Sequence, residues 1–324
     1  MELQLDSFLH RLPIFIQQDE ALRKIFFRGQ DIALHMSTCL LFADTDSADL
    51  PLETAANLLR RTPLCFDDAA AELLPMLSAI LATSDDMDLM LDRMQAAYRA
   101  LCKVFIPSAR LLLPACAFAE SPCTTEQFLT YAKRIFTIFE EVHDAHPILT
   151  GYEDLGVFTL FALYETPEMD LIRRAESYAD RLDDDYFFRN AIQALGHALA
   201  FSEDVEDMCT RVQAPSDAAK SAKINLRKGN LPAVLAPAAV MHLNPEAFVQ
   251  ALSAADDILS KADGFSPLIL SSKERLLFSA MAIIAHLIHT GQTTTEMQYA
   301  FRAALFSVTG FYAADSTDSG YVPI

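Results

Sequence analysis

Two histidines and several carboxylates lie within a stretch of fifteen residues near the middle of the chain. The candidate side chains are His143, Asp144, His146, Glu153 and Asp154. Imidazole and carboxylate groups can ligate a divalent metal, and a carboxylate can orient a histidine that acts as a general base. The pattern predicts either a metal-dependent hydrolase site or polar caps where one helix ends and the next begins.

The apolar framework around these residues occurs twice in the chain. Residues 67–165 match residues 185–285 at an offset of 118 that becomes 120 further along. The matched pairs include Leu81 with Leu199, Phe128 with Phe248, and Pro147 with Pro267. A self-match at a fixed period is typical of repeat proteins, in which each unit buries its apolar face against a neighbour. We therefore predict an internal duplication of about 120 residues.

The second copy does not retain the polar residues. The positions that match His143 and Asp144 hold Asp263 and Gly264. A capping role would tolerate this loss, and so would a function confined to the first copy. The repeat leaves both interpretations open.

The composition favours helices. The chain has 324 residues, of which 52% are hydrophobic, with only nine glycines and no tryptophan. No glycine-rich phosphate loop is present, and apolar residues recur at spacings of three and four, as on one face of a helix. We predict an all-α fold in which residues 1–312 form a single domain of stacked helical hairpins. The array is an open α-solenoid or, as the alternative, a closed α/α toroid, and residues 313–324 form a frayed or disordered tail.

Residues that favour helix starts occur at corresponding places in the two copies. Ser84 is predicted to cap a helix over residues 87–102 with its hydroxyl group. Thr124 is predicted to open the following helix. Asn244, followed by Pro245, is predicted to open the copy of that helix, because proline is tolerated at the first helical position.

Charge and cysteine content narrow the classes of partner and the compartment. The net charge of −19 repels polyanions, so we predict no binding to nucleic acid or to a membrane, whereas a protein partner is permitted. The most apolar stretch, residues 276–288, is shorter than the roughly 20 residues that a membrane span requires. The six cysteines contain no C-x-x-C pair, and residues 1–6 lack the features of a secretory signal. These observations predict a cytoplasmic protein with reduced thiols and no cofactor.

Two further patterns have a structural interpretation. His286 and His289 lie one turn apart on an apolar helix, but no acid is close to them in sequence, so we predict that they pack on a helix face. Residues 44–49 resemble a calcium loop but lack the glycine and glutamate that its geometry requires, so we predict an acidic turn.

The segment over residues 146–155, the preceding helix over 128–139 and residues 199–202 resemble an uncharacterised bacterial family known as a domain of unknown function. The most distinctive element is Leu-Thr-x-x-Glu-Asp, present here as Leu149, Thr150, Glu153 and Asp154. The resemblance extends in layout over residues 30–300. It implies an all-helical fold in a bacterial cytosol and assigns no reaction.

The repeat, the apolar stripes and the lack of a recognisable catalytic motif favour a non-catalytic interaction or scaffold module. The alternatives are the metal-dependent hydrolase with a site around His143, Asp144 and His146, and a protein that binds a small ligand between its helices.

Overall fold

The fold is all-helical, as the sequence predicts. The computed structural model describes residues 3–26, 32–62, 68–182, 189–228, 231–291 and 293–315, and these contain no β-strand. Their α-helices are α1 (Leu5–Phe26), α2 (Ile32–Asp44), α3 (Leu52–Arg61), α4 (Asp68–Thr83), α5 (Met87–Leu101), α6 (Leu112–Glu120), α7 (Phe128–Ala145), α8 (Leu155–Leu163), α9 (Glu168–Leu182), α10 (Arg189–Leu199), α11 (Val205–Ser221), α12 (Leu231–Val240), α13 (Pro245–Leu259), α14 (Ser272–His289) and α15 (Thr295–Asp315). Short 3₁₀ turns cover Ala109–Leu111 and Tyr152–Asp154.

The helices group into two compact units. Unit 1 consists of Met1–Gln30, Thr38–Ala48 and Asp170–Leu305, and unit 2 consists of Asp31–Ser37, Asp49–Met169 and Phe306–Ile324. The sequence predicts one domain over residues 1–312, and this stays a prediction. Helix α15 runs to Asp315 and so includes the first three residues of the predicted tail, and residues 316–324 lie outside the described part of the chain. The first residues of both predicted copies also lie outside it.

Unit 2 is built from antiparallel hairpins. Helix α3 packs against α4, α5 against α6, and α7 against α8. Helix α6 also contacts α4 and α8, and α5 contacts α7. The hairpins therefore form two layers, with α5 and α7 in the first and α4, α6 and α8 in the second.

Unit 1 repeats this pattern of neighbours. Helix α11 packs against α12 and α13, α13 against α14, and α12 against α10 and α14. In addition, α1 packs against α13 and α14. The shared neighbours are those that a duplication would produce, although the duplication itself stays a prediction.

The two layers differ in how much of each helix is buried. Helix α7 buries one stripe and exposes its opposite face, as an amphipathic surface helix does. In contrast, residues 112–119 of α6, residues 155–162 of α8 and all of α12 are buried. Because these second-layer helices have almost no exposed face, their apolar composition reflects packing, not an open binding groove.

The helix starts agree only partly with the predicted caps. Asn244 caps α13 as predicted, since its side chain accepts the N–H of Ala247 at 2.9 Å. Helix α5 is capped by Asp86 and not by Ser84, whose hydroxyl donates to the Leu81 carbonyl at the end of α4. An aspartate two residues closer to the helix accepts an N–H group directly and adds negative charge at the positive helix end, which explains the correction.

The start of α7 also differs from the prediction. Thr124 lies in a turn before the helix, where its N–H donates to Oε1 of Gln127 at 2.9 Å. The helix itself begins at Phe128. This copy lacks the proline that follows Asn244 in α13, so the first turn is not set by a ring-fixed φ angle.

One arginine donates to carbonyl groups at the end of α6 and just after it. Nε of Arg93 donates to the Ala119 carbonyl at 2.8 Å, and Nη2 donates to those of Ser121 at 2.7 Å and Cys123 at 2.9 Å. The last four carbonyls of any helix lack a partner within the helix. Arg93 therefore ties the first-layer helix α5 to the end of the second-layer helix α6.

The sequence also predicts reduced cysteines and no membrane-spanning helix. No disulfide joins the five described cysteines, and Cys39, Cys116 and Cys123 are buried. Cys65 lies outside the described residues. Within the described chain, no helix combines the length and the apolar character needed to cross a bilayer.

We predict that Arg93→Ala lowers the free energy of unfolding by about 2–4 kcal/mol, because several half-buried carbonyls lose a charged donor. Urea denaturation followed by circular dichroism measures the change. Arg99→Ala is the matched control, since Arg99 on the same helix is exposed and its Nη1 donates to Oε1 of half-buried Gln95 at 3.3 Å. Equal losses in the two variants would contradict the capping role.

Candidate functional site

The end of α7 and the turn that follows it hold the polar residues singled out in the sequence. Helix α7 ends at Ala145, and the His146 N–H donates to the Val142 carbonyl at 2.9 Å. The N–H groups of Leu149 and Thr150 then donate to the His146 carbonyl at 3.0 and 3.1 Å. This turn brings Thr150 back towards the last turn of the helix.

The His143 ring is held on both its edge and its face. Its Nδ1 lies 3.1 Å from the Thr150 carbonyl oxygen, which can only accept, so Nδ1 carries the hydrogen. The ring stacks on Phe139 with centroids 5.4 Å apart and an interplanar angle of 12°. His143 therefore fastens the turn to the helix end.

Phe139, on which the His143 ring stacks, belongs to an aromatic cluster. The Phe105 ring lies 5.5 Å from the Phe136 ring, 6.1 Å from the Phe139 ring and 5.7 Å from the Tyr152 ring, between centroids. Phe105 follows α5, whereas Tyr152 follows α7. The cluster therefore joins the C-terminal ends of α5 and α7. Because these two ends meet, the neighbouring helices run parallel.

Glu153 and Asp154 occupy the 3₁₀ turn before α8. Oδ2 of Asp154 accepts the Gly151 N–H at 3.1 Å, and Glu153 lies 3.9 Å from Nη1 of Arg110. Burial, together with the neighbouring Glu153 charge, raises the pKa of Asp154 to about 8. The Gly151 N–H opposes it by stabilising the carboxylate.

The five predicted site residues do not all share one set of contacts. His143 bonds to Thr150, Asp154 bonds to Gly151, and the side chains of Asp144 and His146 are exposed. Among the described residues, no group of three or more His, Cys, Asp and Glu side chains could hold a metal ion. The contacts that the structure gives to His143 and Asp154 are those of helix ends.

Sequence reasoning missed the apolar residues at this end of unit 2. Ile106 is 75% exposed and Ile148 is 95% exposed, and the adjacent Pro107 and Pro147 are also exposed. We call these four residues the Ile106–Ile148 surface. Ile106 follows Phe105, and Ile148 lies in the turn that His143 fastens, so both flank the aromatic cluster. The signal in the sequence is an Ile-Pro pair that begins five residues after the end of α5 and a Pro-Ile pair that begins two residues after the end of α7.

Sequence reasoning also missed a long-range polar contact in unit 1. Asp46, in the predicted acidic turn, accepts from Nε of Arg11 at 2.5 Å and lies 3.1 Å from Nε2 of His289. Nη2 of Arg11 also donates to the Phe42 carbonyl at the end of α2, at 2.5 Å. His289 has no acid close to it in sequence, but it pairs with Asp46, which lies 243 positions away along the chain.

The other histidine of that pair is buried against an aromatic ring. His286 lies beside Phe8, with ring centroids 5.6 Å apart. Burial, together with the charge of Arg11, lowers its pKa to about 4. The ring is therefore neutral at pH 7, and His286 packs on the helix face as the sequence predicts.

We predict that Asp154→Asn stabilises the protein increasingly as pH rises from about 5 to 8. A pKa raised to about 8 means that the folded state holds this proton more tightly than the unfolded chain. Its contribution is therefore complete below the ordinary value near 4 and is lost as pH rises towards 8. The asparagine can still accept the Gly151 N–H, and we expect a gain of roughly 1–3 kcal/mol at pH 8.

Urea unfolding at several pH values measures this difference, with Asp144→Asn, at an exposed position of the same region, as the control. Stability curves of Asp154→Asn and wild type that stay parallel across this range would contradict the raised pKa.

A known protein family matches most of the chain. No curated protein and no solved structure matches the chain. Residues 70–314 match the family described as "Protein of unknown function (DUF4003)". This match covers most of units 1 and 2 and includes the aromatic cluster, His143 and the 3₁₀ turn before α8. The chain therefore belongs to the DUF4003 family.

Proposed function

We propose that the chain is a non-catalytic protein-interaction module and that the Ile106–Ile148 surface binds its partner. The observation that carries this proposal is the exposure of Ile106 and Ile148, 75% and 95%, around one aromatic cluster. Burying an aliphatic side chain of this size contributes about 1.5–3 kcal/mol. Contiguous apolar surface on a folded unit is typical of binding sites, whereas a single exposed aliphatic residue is not.

The half-buried aromatic rings extend the same surface. Phe136, Phe139 and Tyr152 are each partly accessible and pack on buried Phe105. Aromatic rings supply contact area with little loss of side-chain entropy, which is why they are frequent at the centre of protein interfaces. Because these rings are already ordered by one another and by His143, a partner would meet a preformed surface.

The polar residues of this region support binding better than catalysis. Nδ1 of His143 and the carboxylate of Asp154 both bond to the backbone of the turn, which keeps Ile148 in place. The hydrolase and small-ligand alternatives have no comparable supporting contact among the described residues.

The proposal includes the cellular setting. The described cysteines, three of them buried, are not joined by disulfides, which favours a reducing compartment and supports a cytoplasmic location. The net charge of −19 disfavours nucleic acid and anionic membranes as partners. A protein partner therefore remains the class that fits both charge and surface.

We predict that Ile106→Ser combined with Ile148→Ser removes partner binding without unfolding the chain. Both side chains are exposed, so the substitutions should leave the melting temperature nearly unchanged. Immobilised wild-type protein and the variant are compared for proteins retained from a lysate of the source cells, by quantitative mass spectrometry. At least one protein should be retained tenfold less by the variant, about 1.4 kcal/mol of binding free energy.

Leu268→Ser is the matched control. Leu268 is also 95% exposed and lies in the turn of unit 1 that corresponds in sequence to the turn of Ile148. It should retain the same proteins as wild type. Identical retention by all three proteins would refute the proposed function.

A further inference from the structure

Helix α15 points towards the end of unit 2 that carries the Ile106–Ile148 surface. The Cβ of Phe306 in α15 lies 3.3 Å from the position that a Cβ would take on Gly156, at the start of α8. One turn later, a Cβ on Gly310 would lie 2.5 Å from the Glu153 carbonyl oxygen, so the backbone of α15 contacts the 3₁₀ turn there. Helix α15 therefore runs antiparallel to α8 and ends where α7 ends and the turn of Ile148 lies.

The segment that follows α15 is long enough to reach this surface. Asp315, the last residue of α15, lies five residues beyond Gly310, or about 8 Å along the helix axis. Residues 316–324 span up to about 30 Å when extended. Ile148 precedes Glu153, which α15 contacts, by only five residues. The surface therefore lies within reach of the segment.

The sequence of this segment combines a polar tether with apolar residues. Residues 316–320 are Ser-Thr-Asp-Ser-Gly, and residues 321–324 are Tyr-Val-Pro-Ile. The tyrosine, valine and isoleucine supply apolar contact area, and the fixed φ of Pro323 lowers the conformational entropy lost on binding. Extended segments that contain proline bind to surfaces lined by aromatic rings. The half-buried rings of the aromatic cluster beside Ile148 form such a surface here.

The charges near the surface do not select the occupant by themselves. Lys103 and Arg110 flank Ile106 in sequence, whereas Asp144 lies in the last turn of α7. Asp318 is the one charged side chain in the sequence of the segment. Because the surface has charges of both signs and the segment has only one charge, the tether and the apolar contacts determine the binding.

The related turn of unit 1 is contacted by a helix from another part of the chain. Nη2 of Arg23 in α1 donates to the Asp263 carbonyl at 2.7 Å, and its guanidinium lies against Gly264. Asp263 and Gly264 correspond in sequence to His143 and Asp144 of unit 2. In unit 1 this place is thus covered in cis, by a residue 240 positions away.

We propose that residues 316–324 bind the Ile106–Ile148 surface in cis and compete with its partner. This inference rests on the proposed function, because it names how the same surface is regulated. The apolar residues 321–324 cover Ile106 and Ile148, and residues 316–320 form the tether. The tail that composition alone predicts to be frayed thereby gains a binding role.

A short tether makes even weak binding effective. A tether of a few residues gives an effective concentration of about 1 mM. If the free segment binds the surface with a Kd of about 0.1 mM, the tethered segment occupies the surface about 90% of the time. The apparent affinity of a competing partner then falls about tenfold. A partner that binds tightly still displaces the segment.

A full-length variant with a weakened segment tests the inference. The tail variant, Tyr321→Ser/Val322→Ser/Ile324→Ser, should leave the surface uncovered. Fluorescence anisotropy measures the binding of a labelled peptide that has the wild-type sequence of residues 316–324. We expect the tail variant to bind this peptide about tenfold more tightly than wild type does, because the segment of wild type occupies the surface.

Three control variants locate the binding. Ser316→Ala/Thr317→Ala/Ser319→Ala changes only the tether and should bind the peptide as weakly as wild type. Adding Ile148→Ser to the tail variant should weaken peptide binding about tenfold, because an aliphatic contact is lost. Adding Leu268→Ser to the tail variant removes the exposed aliphatic residue of the related turn in unit 1 and should leave peptide binding unchanged.

Retention from a cell lysate relates the segment to the partner. The proteins that wild type retains through Ile106 and Ile148 should be retained more strongly by the tail variant, by up to about tenfold. Equal retention by wild type and the tail variant would show that the segment does not compete with the partner, which overturns the inference.

The remaining outcomes separate the inference from the proposed function. If the tail variant binds the peptide no more tightly than wild type, or if Ile148→Ser leaves the peptide bound, binding in cis is overturned. The interaction module still stands in that case if Ile106→Ser/Ile148→Ser loses its cellular proteins. If the peptide binds as expected but this double variant retains every protein that wild type retains, the proposed function fails and competition with a partner fails with it. If wild type self-associates in sedimentation experiments and the tail variant does not, the segment binds a second copy, which overturns binding in cis.

Discussion

The structure depends on how the ends of short apolar helices are satisfied. A second-layer helix such as α6 has no polar side chain in its middle, so the carbonyl groups at its end must find donors elsewhere. Arg93 supplies them from α5, and Arg11 does the same for the end of α2 from α1. Arg174 in α9 donates to the Ala200 carbonyl after α10 in the same manner. A charged, forked side chain suits this role because it can reach several carbonyls at once.

This constraint explains why buried polar groups do not by themselves indicate chemistry here. Buried Arg11, with the exposed Asp46 beside it, would look like part of an active site if only burial and charge were considered. Their contacts instead join the end of α2 to His289 in α14. Buried polar groups must be paired, and in a helical array most of the groups that need partners are at helix ends. In this fold, exposed residues therefore indicate function better than buried polar groups do.

Local patterns predict the fold well and the long-range contacts poorly. Apolar residues at spacings of three and four predict a helix over residues 87–102, and α5 covers Met87–Leu101 with Leu91, Met94 and Leu101 buried. The Asn244–Pro245 pair predicts the start of α13 correctly because capping involves only neighbouring residues. The pairing of Asp46 with His289 joins residues that are 243 positions apart, so no local pattern contains it. The sequence does not predict the exposure of Ile106 either, because an apolar residue after a helix is usually buried.

The two related turns show which features distinguish unit 2. In both, two successive N–H groups donate to one carbonyl, that of His146 in unit 2 and that of Ser266 in unit 1, and the next aliphatic residue after the proline is exposed. The position of Asp144 is taken in unit 1 by Gly264, whose φ of +87° and contact with the Arg23 guanidinium exclude a larger side chain. Arg23 also donates to the Asp263 carbonyl at 2.7 Å, so this turn is occupied by α1. Because unit 2 leaves the same place open and acidic, the proposed binding surface belongs to that unit and does not follow from the turn itself.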